Sequence, residues 1–203
     1  NLKDIHELRA ALREYLTHRA AARGDDPVKI AERELIGKEL PGFFPTPRPV
    51  IERMLELADV QPQHAVLEPS CGMGSILDAL REVCPGVSVM AIERNLALAD
   101  VLAAKGHDVE FADYLSHEGM YDRIVMNPPF EPGQEIAHVR HAYALLAPGG
   151  RLVFSGILRA QEAEVVAAFR RGGLRIDRVV RKGKWVSGLA TRAMGESPEA
   201  AIA

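Results

Sequence analysis

The sequence predicts an α/β fold: a sheet with helices on both faces, preceded by a helical extension. Three observations carry that prediction. His64 to Glu68 reads as a strand, enters the turn Pro69-Ser70-Cys71-Gly72-Met73-Gly74-Ser75, and continues as a helix from Ile76 to Val83. A second strand, Val87 to Ile92, ends at Glu93, which lies 19 residues beyond Gly74. Strand, glycine turn, helix, strand and acid are the parts of a nucleotide-binding βαβ unit. Finally, Tyr121 to Met126 reads as a buried strand that Asn127-Pro128-Pro129-Phe130 must end, because proline cannot continue a ladder. In open α/β sheets such strand ends are where ligands sit.

Taken in order, residues 2–22 place Leu2, Ile5, Leu8, Leu12 and Leu16 at helical spacing with charges between. Gly24-Asp25-Asp26-Pro27 stops that helix, and Asp26 is placed to cap a second one running to about Gly37. Residues 1–40 hold eight basic and eight acidic side chains, so this extension reads as a lid or partner-packing element rather than a nucleic-acid arm. The expected division is a 1–40 helical extension followed by a 41–203 domain. Leu40-Pro41-Gly42-Phe43-Phe44-Pro45-Thr46-Pro47 is a stiff, extended turn. Thr46 is expected to cap a helix from Pro47 to Ala58.

Beyond the second strand, Asn95 can cap a helix from Leu96 to Lys105, ending at Gly106. A third strand is expected over His107 to Phe111, ending in Ala112-Asp113-Tyr114-Leu115. A helix follows from Gln134 to Leu146. On it His138 and His141 lie three apart rather than at the i, i+4 spacing of a metal pair, and they read as surface or packing histidines. Ala147-Pro148-Gly149-Gly150 is a tight turn into a strand from Arg151 to Ser155. A helix (Ala160 to Arg171), a strand (Leu174 to Val180) and a weak last strand (Thr191 to Gly195) complete the domain. Glu196 to Ala203 reads as a frayed tail.

Composition sets the bounds. The 203 residues are 47% hydrophobic and 26% charged, enough for one globular domain with a substantial core. The net charge of −3 does not advertise a polyanion partner, so any basic face must be local. Between Arg159 and Arg192 nine Lys and Arg stand against three acids, with Trp185 and Ser187-Gly188 inside the run. That stretch leans toward phosphates and a base, or equally toward a solvated loop and edge strand. The two cysteines, Cys71 and Cys84, lack metal spacing, and no metal site is expected. They suit a reducing, cytoplasmic setting. No apolar run is long enough for a membrane span and no secretory signal is visible. The chain starts at Asn1 rather than Met, as a trimmed terminus would.

The strand ends carry chemistry. An amine on an aromatic ring is a poor nucleophile because its lone pair is delocalised. The Asn127 amide oxygen and the Pro128 carbonyl, stiffened by Pro129, can both accept from such an amine and localise that pair. Phe130 offers a face for a flipped base. Two features separate the glycine turn from a dinucleotide fingerprint. Leu77 occupies the third glycine position, and the strand ends in an acid, Glu68, followed by Pro69. A carboxylate there suits a cation better than a pyrophosphate.

Asn127-Pro128-Pro129-Phe130 resembles motif IV of the amino-methyltransferases that use S-adenosylmethionine (SAM). Leu67 to Gly74 resembles motif I of class I methyltransferases, Phe43 to Pro47 resembles motif X of the adenine-specific type, Ala112 to Leu115 resembles motif III, and Leu146 to Leu152 resembles the approach to strand five. The likeness covers about residues 40–156, and the whole chain resembles small methyltransferases of phages and mobile elements. It implies a Rossmann-like seven-stranded sheet with a reversed carboxyl-terminal hairpin. It also implies transfer of a methyl group to an exocyclic amine, adenine N6 in DNA ahead of RNA. Asn127, Pro128, Pro129 and Phe130 would hold the target base. Phe44, Thr46, Glu68, Pro69, Cys71, Gly72, Gly74, Glu93, Arg94, Asp113, Tyr114, Leu115 and Asn127 would bind SAM.

Within that set, Thr46 would meet the methionyl carboxylate, Glu93 the ribose hydroxyls, and Asp113 the adenine amine with Tyr114 and Leu115 on its ring. Cys71 reads as a packing residue, since direct methyl transfer needs no thiol. DNA enzymes of this type carry a large recognition domain, whereas about 45 residues follow strand five here. Specificity is therefore expected to be low, or to come from residues 156–192, the amino-terminal helices, a second copy or a partner chain. Alternatives are an RNA adenine or guanine amino-methyltransferase, a protein glutamine methyltransferase (disfavoured by Phe130), and a SAM-binding regulatory module without turnover.

Overall fold

A computed structural model describes residues 11–12, 14–15, 26–36, 45–128, 134–171 and 173–194. Seven strands form one mixed sheet in the order β3-β2-β1-β4-β5-β7-β6. They are β1 (Ala65–Glu68), β2 (Ser88–Glu93), β3 (Glu110–Phe111), β4 (Tyr121–Met126), β5 (Leu146–Leu158), β6 (Leu174–Lys182) and β7 (Trp185–Arg192). β3, β2, β1, β4 and β5 pair in parallel, so their carboxyl ends share one end of the sheet. β7 runs antiparallel to both β5 and β6. This is the Rossmann-like, seven-stranded architecture that the sequence resemblance implies.

By its contacts the chain forms two units. One comprises residues 1–41 and 95–108, and the other residues 42–94 and 109–203. In the first, α1 (Pro27–Glu34) is capped by Asp26, whose side chain accepts from the Val28 amide at 2.9 Å. It packs against α4 (Ala99–Ala104), which follows a short 3₁₀ turn at Leu96–Leu98 capped by Asn95. Among the described residues of this unit, Ala31, Leu98, Val101 and Leu102 are buried. Most of the apolar stripe expected over residues 2–22 lies outside the described residues.

In the second unit the two-residue period of a strand sorts the core into two layers. Leu67, Ile124, Leu152 and Phe154 join Val139 and Ala142 of α5 (Gln134–Leu145) and Val165 and Phe169 of α6 (Glu162–Arg171). Val66, Val125 and Val153 face the other way. They meet Ile51, Met54 and Leu55 of α2 (Arg48–Ala58) and Ile76 and Leu80 of α3 (Ser75–Val83). Strands covered on both faces must be apolar throughout, which explains Ile-Val-Met in β4 and Leu-Val-Phe in β5.

Polar groups lock this frame. Buried Arg123 donates from Nε to the Ala58 carbonyl at 2.7 Å, and Arg151 reaches Asp59 at 3.1 Å. Two cations thus hold the carboxyl end of α2, where the helix dipole favours them. Asp122 accepts from the Ala65 amide at 2.9 Å, which ties β4 to the start of β1.

Three local expectations are corrected. α2 begins at Arg48 with no side-chain cap, because the Thr46 hydroxyl is used elsewhere. The Ala147-Pro148-Gly149-Gly150 turn is absorbed into a bulged start of β5 at Leu146. The last strand is β7, eight residues starting at Trp185, rather than a short one at Thr191. Gly188 sits inside this strand for steric reasons. A Cβ there would lie 2.5 Å from the Arg178 carbonyl oxygen and 2.7 Å from the Phe154 ring.

Candidate active site at the strand ends

β1, β2 and β4 end at Glu68, Glu93 and Met126, and the parallel register brings these ends together. The connection after β1 is a tight glycine turn. Gly72 and Gly74 adopt φ of 57° and 77°, a region open to glycine and strained for other residues. The Cys71 amide donates to the Ile92 carbonyl at 3.0 Å, and the Gly72 amide donates to Glu93 Oε2 at 2.8 Å. The turn is therefore folded over the end of β2, and the expected ribose-binding acid is held against the glycines. Arg94, beside it, is exposed.

Glu68 is 1% exposed, and its Oε2 has no hydrogen-bond partner among the described residues. Burial, with Glu93 and Asp78 nearby, holds its carboxyl well above the usual range. A buried acid facing other acids is costly by itself. It fits a site that receives a cation, and SAM carries both a sulfonium and an ammonium.

Asn127 leaves β4 half-buried and donates from Nδ2 to Thr46 Oγ1 at 2.9 Å. With its NH₂ directed at Thr46, the amide oxygen is the end left to accept a hydrogen bond, and that oxygen is buried. Two residues predicted for different ligands are thus joined directly, across 81 positions of chain. Pro128 is buried; Pro129, Phe130 and Phe44 lie outside the described residues. Beside Thr46 opens a cleft of about 510 Å³ lined by Arg48, Ile51, Ser75, Asp78 and Arg81 among others. Here the sequence reading missed Ser75 and Asp78, although both fall in the first turn of the helix that follows the glycines.

Asp113 accepts from the Leu115 amide at 3.0 Å and so caps the turn Tyr114–Ser116. Tyr114 does not lie open for an adenine ring. It is 2% exposed, with His138 and His141 at 4.9 and 4.8 Å between ring centroids. His138 is a packing histidine and a deeply buried one. Burial pulls its imidazole down to about 4 against the opposing pull of Asp113, and Nδ1 has no partner among the described residues. Cys71 is also buried, which pushes its thiol up and removes it as a nucleophile near neutral pH. Pro69 is buried beside it and Leu115 is half-buried.

Residues 85–193 match the family model for ribosomal protein L11 methyltransferase (PrmA), more than half of the chain. The chain belongs to the PrmA methyltransferase family. It is 40% identical to the ribosomal protein L11 methyltransferase of Chromohalobacter salexigens over 141 residues, covering 66% of this chain and 44% of that protein. It is 34% identical to the 23S rRNA (uracil(1939)-C(5))-methyltransferase RlmD of Bordetella pertussis over 119 residues, 51% of this chain and 24% of that one.

The crystal structure of TrmN from Thermus thermophilus superposes with a TM-score of 0.60 at 26% identity, covering 70% of this chain and 48% of TrmN. The chain thus spans less than half the length of these relatives. The fold is that of the class I methyltransferases, and members of the family use SAM. Its matches include proteins named for ribosomal protein and rRNA substrates and also the modification methylase CviBIII of Paramecium bursaria Chlorella virus NC1A, and they do not show the adenine-specific DNA type. Among the described residues no helix is long and apolar enough to cross a membrane.

Proposed function

We propose that this protein, in the cytoplasm, transfers the methyl group of SAM to an exocyclic amine of a nucleobase, adenine N6 first, in RNA ahead of DNA. The observation that carries this is the Asn127–Thr46 hydrogen bond, which orients the amide so that its oxygen can accept from an amine. When bound, SAM supplies an electrophilic methyl carbon on a positively charged sulfur. Glu68 would face that positive charge, and Glu93, held by the glycine turn, would take the ribose hydroxyls. The first turns of α2 and α3, with Arg48 and Arg81 on the cleft wall, suit the methionyl carboxylate. Asp113 would meet the adenine edge.

The Asn127 oxygen and the Pro128 carbonyl would accept hydrogen bonds from both amine N–H groups, leaving the nitrogen lone pair directed at the methyl carbon. With SAM bound, the N–C bond would form as the C–S bond breaks, and the surplus proton would leave the nitrogen for water. Positioning supplies most of the rate, so no general base is needed. Asn-Pro-Pro-Phe favours an amine acceptor over carbon, and the raised Cys71 thiol argues against a covalent route to a pyrimidine carbon.

RNA is placed ahead of DNA because unpaired RNA bases reach a pocket without breaking a duplex. The rRNA-directed relative points the same way. The test is Asn127→Ala: SAM binding by calorimetry is expected to persist while methyl transfer to RNA and DNA pools disappears. Undiminished transfer would remove Asn127 from the mechanism.

A further inference from the structure

The basic run between Arg159 and Arg192 is not one surface. Arg192 is buried, bonded to the Leu146 carbonyl and lying 5.1 Å from the Tyr143 ring. Arg175 pairs with Asp177 at the far end of the hairpin, where β6 opposes Thr191. Arg181 is tied to Glu162 of α6. Arg159, Lys182 and Lys184 are exposed too, and the fold gathers them at one place.

Lys182 pairs with Trp185 across the β6–β7 turn, and Trp185 pairs with Leu158 at the end of β5. The Arg159 amide donates to the Lys184 carbonyl at 2.8 Å, which joins the exit of β5 to the hairpin tip. Lys184 Nζ lies 4.9 Å from the centre of the Trp185 ring.

Register fixes where this tip stands. Met126 pairs with Phe154, and β5 continues in the same direction to Leu158 before meeting Trp185. The tip therefore projects beyond the end of the sheet that carries Asn127. At ~3.3 Å per residue along β5 and ~4.8 Å per strand sideways, it stands on the order of 15 Å from Asn127. That is a span of a few nucleotides. Three exposed cations around an indole, on a protein of net charge −3, form a local positive field at the catalytic end. Cations that follow a backbone and an aromatic that stacks on bases are the elements of a single-strand platform.

We propose that the β6–β7 hairpin tip, Lys182, Lys184 and Trp185 with Arg159 beside it, is the docking surface for a single-stranded segment of the RNA substrate. It holds phosphates while the target base enters beside Asn127. This rests on the nucleobase reading above and adds the surface that guides the polymer.

The experiment compares the wild type with Lys182→Glu/Lys184→Glu and Trp185→Ala, using tritiated methyl transfer to an unstructured RNA oligonucleotide. Calorimetric SAM affinity and thermal unfolding serve as fold controls, and Trp185→Phe provides the conservative rescue. The double lysine variant is expected to raise KM for RNA tenfold or more with kcat and SAM affinity held. It should also reduce the slope of log affinity against log salt by at least one, since each phosphate contact in a single strand contributes about 0.7. If the wild type methylates RNA, unchanged KM and salt slope in the double lysine variant would overturn the docking surface alone. Label entering only protein would overturn the nucleobase reading as well. Equal dependence of duplex DNA methylation on these residues would overturn the choice of RNA.

Discussion

The parallel strands and the antiparallel hairpin reach the same end of the sheet with opposite chemistry. β1, β2 and the turn after β3 present Glu68, Glu93 and Asp113, while β6 and β7 present Lys182, Lys184 and Trp185. Acids beside a glycine turn suit a cosubstrate bearing a sulfonium. Cations around an indole suit a polyanion. On the proposed function, the fold would separate a cationic small molecule from an anionic polymer by giving each its own half of one sheet, with Asn127 at the boundary.

The largest effect is expected at that boundary. Asn127→Ala removes one polarising acceptor and should lower methyl transfer about 10²–10³-fold, measured under saturating SAM. Thr46→Val, which breaks only the orienting hydrogen bond, should lower kcat less, and Thr46→Ser should restore it.

Next is the acid half. Glu68→Gln keeps the shape and removes the charge, so SAM affinity by calorimetry should fall about tenfold or more. The SAM-free protein should melt no lower than wild type, because a buried, unpaired carboxyl is relieved. Its pH dependence has a definite sign. The folded carboxyl titrates above its unfolded value, so its contribution to stability is present at low pH and is lost as pH rises from the ordinary carboxylate range through the raised one. SAM affinity should move the opposite way, rising with pH over that window with release of a proton. Calorimetry in buffers of different ionisation enthalpy measures that proton.

The hairpin half can be broken separately. Gly188→Ala forces a Cβ against the Arg178 carbonyl oxygen and the Phe154 ring, and should cost about 1–3 kcal/mol in denaturant unfolding. RNA binding should weaken more than SAM binding. The smallest effect is at His138. Its imidazole at about 4 is neutral in the fold, so stability is lost as pH falls from about 6.5 toward 4, by about 2 kcal/mol at pH 5. His138→Gln should flatten that acid limb in urea titrations at pH 7 and pH 5. The charged neighbours Asp113, Arg94 and His141 remain in the variant.

The same division explains what was legible in the sequence. Strand-end motifs are local: Glu68-Pro69, the Gly72-Met73-Gly74 turn and Asn127-Pro128 each specify their own backbone, so β1, β2, β4 and the site between them could be read from spacing. β7 could not. Its strand character comes from pairing with β5 and β6, partners 27 or more positions upstream for β5, and its glycine answers to the approach of Phe154. The Thr46–Asn127 bond was out of reach for the same reason: both residues were singled out, but no local pattern shows that they touch. Tyr114 carried a motif resemblance, and the structure places it in the core because His138 and His141 arrive from a helix 20 residues later.

The most direct measurement is identification of the methylated product. RNA, DNA and protein pools are incubated separately with the purified protein and isotopically labelled SAM, and the nucleic acids are digested to nucleosides for mass analysis. The expected result is label on an exocyclic nitrogen, N6-methyladenosine foremost, from the RNA pool and absent with Asn127→Ala. Label on a pyrimidine carbon or confined to protein, undiminished in that variant, would contradict an amine acceptor held by Asn127.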